Sequence, residues 1–183
     1  MSADDTRASL APLLTFSELL HFLSSLSFSR GKKVVVISIP GCFTPTCHGN
    51  HVPAFIKQAN QFADKGYEVY VISANDPFVM SGFRTAQGAK GEVHFATDLE
   101  LSLSKGLDAT VDLSKMGFGL RGARYALVVD DLTIKYFEVS LTLLHTGDHL
   151  LAASRKLILL YPQVESSPAE VTVSSAETVL GKL

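Results

Sequence analysis

Pro40-Gly41-Cys42-Phe43-Thr44-Pro45-Thr46-Cys47 is the stretch that decides the fold, because it joins a strand to a helix and leaves a thiol at the joint. Before it, Lys33 to Ile39 (KVVVISI) is short, β-branched and bounded by Gly31 and Pro40, which predicts a buried strand. After it, Val52, Phe55, Ile56, Ala59, Phe62 and Ala63 recur three and four apart, which predicts a helix from Pro45 to about Lys65. Thr44 suits the N-cap, and Pro45 suits the first helical position, where its missing N–H costs nothing. Cys47 then falls in the first turn. Unpaired N–H groups and the positive end of the helix dipole favour an anion there, so a lowered thiol pKa is expected.

Composition bounds the rest. The chain has 183 residues, 46% hydrophobic and 19% charged, enough for one domain over residues 1–183 with an ample core. A net charge of −2 and a pI near 6.3 give no electrostatic case for nucleic acid or an anionic membrane. No apolar run reaches the roughly 18 residues of a membrane span. The first residues carry Asp4 and Asp5 without a basic start feeding an apolar run, so no secretory signal is read. Two cysteines in a chain of this size point to a reducing compartment, cytoplasmic by expectation.

Pro-Gly-x-Phe-Thr-Pro-Thr-Cys at Pro40–Cys47 resembles the peroxidatic motif of the peroxiredoxins, most closely the type II, peroxiredoxin-five-like subfamily. The resemblance continues in matching order through Asn75-Asp76-Pro77-Phe78-Val79-Met80, Ala96-Thr97-Asp98 and Arg121 to Val129. It implies an α/β thioredoxin-like fold with a central mixed sheet flanked by helices. It implies a thiol-dependent peroxidase acting on hydrogen peroxide or small organic hydroperoxides, with no cofactor and no metal. Carried over by position, Cys47 matches the nucleophile that becomes a sulfenic acid, and Thr44 the hydroxyl that hydrogen-bonds thiolate and peroxide. Pro40 matches the residue shielding the site, and Arg124 the guanidinium beside the thiolate. The chemistry agrees with those roles. A thiolate is the first rung of the oxidation ladder, and a leaving oxygen needs fixed donors and a permanent cation. Without the resemblance, Arg124 would read as a strand-end ion-pair residue and Thr44 as a helix cap alone.

The remaining pattern predicts a short helix at Phe16–Phe22, a strand at Glu68–Ser73, a helix at Pro77–Gln87 and a strand at Val93–Ala96. A short helix at Leu99–Lys105 follows, then a hairpin of Tyr125–Val129 with Thr133–Glu138 turning at Asp130-Asp131, and a C-terminal helix at Ser175–Leu180. The order β-α-β-α-β-α-β-β fits an α/β sheet with helical crossovers.

Two other patterns are weaker. Gly117-Phe118-Gly119-Leu120-Arg121-Gly122 spells G-x-G-x-x-G but precedes a strand, where a dinucleotide site needs the reverse, so it reads as a loop. Cys42, Cys47, His48 and His51 do not follow a common zinc spacing. His51 lies four residues after Cys47 on the same helical face, within reach of a supporting contact, and reads as a partly exposed structural histidine.

Cys42 lies too near Cys47 along the chain to meet it in an easy disulfide, which wants Cα atoms roughly 5.5–6 Å apart. It reads as a small apolar packing residue. Many relatives keep a resolving cysteine in the C-terminal segment. Here Val173 stands in that place, within Val171 to Ala176, so the chain resembles a one-Cys variant. The partners this implies are a peroxide substrate and an external thiol reductant: thioredoxin, glutaredoxin or glutathione. The resemblance also implies a homodimer as the form many members take. The alternative is a non-catalytic thioredoxin-fold redox sensor, which would oxidise once and not cycle. The final Gly181-Lys182-Leu183 is one residue from the peroxisomal Ser-Lys-Leu address. Val139 to Gln163 matches nothing in the family and carries Leu157, Ile158, Leu159 and Leu160 without an evident pocket. It reads as an atypical insertion, and its Val-Ser and Pro-Gln borders are compatible with a retained intron.

Overall fold

Val34, Val35, Val36 and Ile37 have no solvent exposure, because their strand lies in the middle of a sheet covered on both faces. The computed structural model describes residues 30–140 and 173–183. Strand β1 (Lys33–Ser38) pairs in parallel with β2 (Tyr67–Ser73), which pairs in parallel with β3 (His94–Thr97). On its other side β1 runs antiparallel to β6 (Arg124–Asp130), and β6 to β7 (Thr133–Ser140), giving the order β3-β2-β1-β6-β7. The predicted mixed sheet is therefore present. The β6–β7 hairpin turns on Asp131 and Leu132, both with positive φ, one residue later than predicted.

Strand alternation splits the core into two layers. Val35, Ile37, Ala126 and Val128 face a cluster with Phe55, Phe62, Phe83, Ala176 and Val179; Cys47 belongs to this layer. Val36, Tyr125, Leu127 and Val129 face Leu103 and Leu107 on the opposite side. The first layer is covered by α1 (Val52–Lys57), α2 (Ala59–Asp64), α3 (Pro77–Ala86) and α5 (Ala176–Lys182); the second by α4 (Ser102–Gly106).

The helix expected as one piece from Pro45 to Lys65 is three. It opens at Pro45, with the His48 N–H donating to the Thr44 carbonyl at 2.8 Å, so Thr44 holds the N-cap position and Pro45 the first. Cys47–His51 is a wide π-turn in which the Val52 N–H reaches back to the Cys47 carbonyl. The sequence reason is Pro53, which has no N–H to give and whose ring would press on the carbonyl of Gly49 in a regular helix. A second break at Gln58 separates α1 from α2, and the Gln58 amide donates to the Glu177 carboxylate on α5.

Two short strands were not expected: β4 (Thr110–Asp112) and β5 (Leu120–Gly122), paired antiparallel. The glycine-rich loop bends through Gly117 and Gly119, both with positive φ, and ends in β5, which Ala123 alone separates from Arg124. At Gly122 a Cβ would lie 2.8 Å from Ser104 Oγ and 2.9 Å from Ser38 Oγ. Ser104 cannot swing aside freely, since its hydroxyl donates to Asp98 at 2.7 Å and lies 3.2 Å from Tyr125 Oη. Gly122→Ala should therefore cost about 1–3 kcal/mol, the usual penalty of overpacking a dense site. Chemical denaturation measures it; a loss under about 0.5 kcal/mol would mean the serines relocate without strain.

The predicted end of the last strand needs correcting. Val139 and Ser140 continue β7, pairing with Tyr125 and Arg124, so the first two residues of the stretch read as an insertion are strand. They stay in the ladder because Arg124 and Tyr125 offer them backbone partners. The helix expected at Phe16–Phe22 and the stretch from residue 141 to Gln163 lie outside the described residues. Among the described residues, no helix is long and apolar enough to cross a membrane.

Candidate active site

The register of the sheet builds the site. Ser38 pairs with Tyr125, so Arg124 lies just beyond the end of β1, where the Pro40–Thr46 loop leaves the sheet. Arg124 shares parity with Ala126 and Val128, so its side chain rises on the face that carries Cys47. Its Nη1 donates to Cys47 Sγ at 3.3 Å. Cys47 is fully buried and Arg124 is 6% exposed. The expected pairing of guanidinium and thiol is thus present, with residues 77 positions apart in sequence brought into contact. Arg124 Nε is buried and has no hydrogen-bond partner among the described residues.

Thr44 and Pro40 sit in the same loop, both half-buried. The Thr44 hydroxyl donates to the Gly41 carbonyl at 3.0 Å, so its hydrogen is used within the loop and its lone pairs are what it can offer a ligand. Phe43 takes a left-handed conformation, φ 61°, stacks on His48 and meets Phe83 edge-on. Asn75 ties the loop to β2: its Oδ1 accepts from the Cys42 N–H at 3.0 Å and from Ser73 Oγ at 2.9 Å. That role was not identified by sequence reasoning, although Asn75 lies in a stretch that carries the family resemblance.

Cys42 points elsewhere. Its thiol lies 3.3 Å from Met80 Sδ, and burial, followed by the neighbouring Cys47 charge, pushes its pKa up to about 12. A group so held stays a thiol at neutral pH, consistent with a packing role.

His51 departs from the expectation of partial exposure. It is wholly buried, because the π-turn and the sheet rotate its ring inward beneath the C-terminal segment. Its Nε2 lies 2.8 Å from the Ser174 carbonyl and its Nδ1 3.3 Å from Arg124 Nη1. Burial lowers its pKa from the ordinary 6.5 to about 4, with Arg124 adding to the shift and the Ser174 bond opposing it. The unfolded chain protonates this ring near pH 6.5 and the folded one near 4, so between them the unfolded state binds more protons. Stability is then complete above 6.5 and falls as pH drops toward 4, at up to about 1.4 kcal/mol per pH unit. Thermal melts across that window should show the slope in the parent and a flatter one in His51→Asn. Equal slopes would assign the titration to another group. His48, by contrast, is exposed and engages Gln87, so the two histidines diverge.

A buried thiol in the first turn of a helix, faced by an arginine on a thioredoxin-like sheet, defines a redox-active thiol protein. The redoxin family model matches residues 11–141. A Malassezia furfur protein carrying the peroxiredoxin name is 50% identical over 111 residues, 60% of this chain and 67% of its own. A Lipomyces kononenkoae protein, named as a peroxisomal peroxiredoxin, is 44% identical over 111 residues, covering 60% of this chain and 66% of its own. The matched stretches thus span about two thirds of these relatives' length. Among solved structures, reduced Prx3 from Vibrio vulnificus in complex with H2O2 is similar with a TM-score of 0.67. The identity is 31%, over 87% of this chain and 86% of that one. The chain belongs to the redoxin family and, within it, to the peroxiredoxins, the thiol-dependent peroxidases.

Proposed function

We propose that this chain reduces hydrogen peroxide and small organic hydroperoxides through Cys47, with Arg124, Thr44 and Pro40 forming the rest of the site. The observation that carries this reading is Arg124: its Nη1 lies 3.3 Å from the Cys47 sulfur, which fixes a permanent cation beside a buried thiol. The Cys47 thiolate attacks one peroxide oxygen, the S–O bond forms and the O–O bond breaks. Sulfur loses two electrons, the peroxide gains them, and the leaving oxygen takes a proton to depart as water or an alcohol. Negative charge grows on that leaving oxygen, and a rigid, permanently charged guanidinium is suited to it. The lone pairs of Thr44 can accept the peroxide O–H, since its own hydrogen is held by Gly41. Half-buried Pro40 limits water at the loop.

The Cys47 sulfenic acid is resolved by an external thiol. Val173, where two-Cys relatives keep a cysteine, supports this, as does the engagement of the Cys42 thiol with Met80. The incoming thiol forms a mixed disulfide and releases water; a second thiol frees Cys47. Turnover measured side by side with glutathione, glutaredoxin and thioredoxin systems identifies the donor. Peroxide-treated protein is expected to show a sulfenic acid or mixed disulfide, and no Cys42–Cys47 bond, by mass spectrometry without reduction. That bond would overturn the one-Cys assignment, and a single oxidation without cycling under every donor would favour the redox-sensor alternative.

A homodimer is the assembly supported by the exposed apolar side chains Phe43, Phe78, Met116, Phe118 and Leu120. The cytosol is the first compartment; Gly181-Lys182-Leu183, together with the peroxisomal name of the Lipomyces relative, supports the peroxisome as the second. The insertion reading for residues 139–163 carries forward, supported by the family match ending at residue 141, close to its start.

A further inference from the structure

Arg124 Nη1 carries two hydrogens and has two acceptors at the same distance: Cys47 Sγ at 3.3 Å and His51 Nδ1 at 3.3 Å. The direction of one N–H therefore sets the direction of the other, since the group is planar and rigid. On the far side of the ring, His51 Nε2 meets the Ser174 carbonyl at 2.8 Å. A carbonyl oxygen only accepts, so Nε2 carries the hydrogen, and the neutral ring then presents a lone pair at Nδ1 to Arg124. Phe55 packs edge-on against the imidazole, with centroids 5.7 Å apart and planes at 79°, and holds the ring's plane.

The support is closed into a circuit. Ser174 Oγ lies 2.8 Å from Ser140 Oγ, and Ser140 is the cross-strand partner of Arg124. The next residue back, Val173, takes the Tyr136 hydroxyl on its carbonyl at 2.6 Å, which fastens the C-terminal segment to β7. His51 and Ser174 are both completely buried. Among the described residues Nε has no partner, and the contacts at Nη1 are the hydrogen bonds seen to orient the guanidinium.

We propose that His51 is a positioning residue of the peroxidase site: the Ser174 carbonyl fixes its Nε2–H form, and the ring's Nδ1 aims Arg124 at Cys47. The C-terminal segment thereby acts on the thiol through the His51 ring, although it contributes no cysteine of its own. This rests on the peroxidase reading above. The two can fail separately, because alkylation of Cys47 and the state of the His51 ring are measured without peroxide turnover.

Two substitutions divide the ring's functions by atom position. His51→Asn keeps an acceptor where Nδ1 stood and gives up the donor to Ser174, whereas His51→Gln keeps a donor where Nε2 stood and gives up the acceptor to Arg124. Loss of aim in a group of this kind lowers rates by roughly tenfold to a hundredfold. The expected result is that loss in the rate of Cys47 oxidation by hydrogen peroxide for His51→Gln, with its alkylation midpoint moved to higher pH. His51→Asn should recover most of both. Equal losses in the two variants, or an unmoved alkylation midpoint in His51→Gln, would reduce His51 to packing and overturn the proposal. Should the variants fold poorly, nitrogen NMR of the parent ring decides: a neutral Nε2–H ring at pH 7 upholds the assignment, and an Nδ1–H or doubly protonated ring refutes it. A parent that never turns over peroxide, yet shows the shifted alkylation in His51→Gln, would sink the peroxidase reading and leave the positioning intact.

Discussion

Cys47→Ser removes peroxidase turnover, while Cys42→Ser retains most of it. The hydroxyl of serine is neither ionised at neutral pH nor able to expand its oxidation state as sulfur does, so no sulfenic acid can form. The protein should still fold, since the change is small and Arg124 keeps His51 Nδ1 as a partner. Cys42 is different. Its thiol is held protonated, with a pKa pushed up to about 12, and points at Met80 rather than at peroxide. Steady-state turnover with a thiol donor checks both variants. If Cys42→Ser oxidises once and stops while the parent cycles, Cys42 is the resolving residue.

Arg124→Lys is expected to lower the second-order rate with peroxide by roughly a hundredfold, the scale on which a misplaced or missing donor acts. Lysine keeps the charge but loses the planar fork that reaches Cys47 and His51 from one nitrogen. Its shorter reach also leaves His51 Nδ1 without its donor in a fully buried site. The pH profile of Cys47 alkylation should move upward together with the fall in rate. A variant that matches the parent on both measurements would take Arg124 out of the active site.

Much of this site was legible in the sequence because it is local. A β-branched run, a proline, a threonine at the cap and a cysteine three positions on specify a strand, an elbow and a first-turn thiol within a few residues of each other. Those features are set by steric preference and short-range hydrogen bonding, and the structure places them as read. The strand expected at Tyr125–Val129 was also found, one residue longer at each end. The one-piece helix was not, because the apolar spacing continues across Pro53 while the backbone there cannot. The short pair β4–β5 is not legible in the sequence because three-residue strands leave too little alternation to read.

The sequence by itself determined where the candidate nucleophile stands, which elements bracket it and that β1 is buried. It did so because periodicity and capping are properties of neighbouring residues. Only the tertiary structure decided that Ser38 lies opposite Tyr125, and hence that Arg124 reaches Cys47 across 77 positions. It alone turned His51 from an expected half-exposed residue into a buried link between Arg124 and Ser174. Register between distant strands and the docking of a chain end are set by how two packed layers fit together. Local sequence carries no such information, because the energy that selects one register is shared among many side chains from both faces of the sheet.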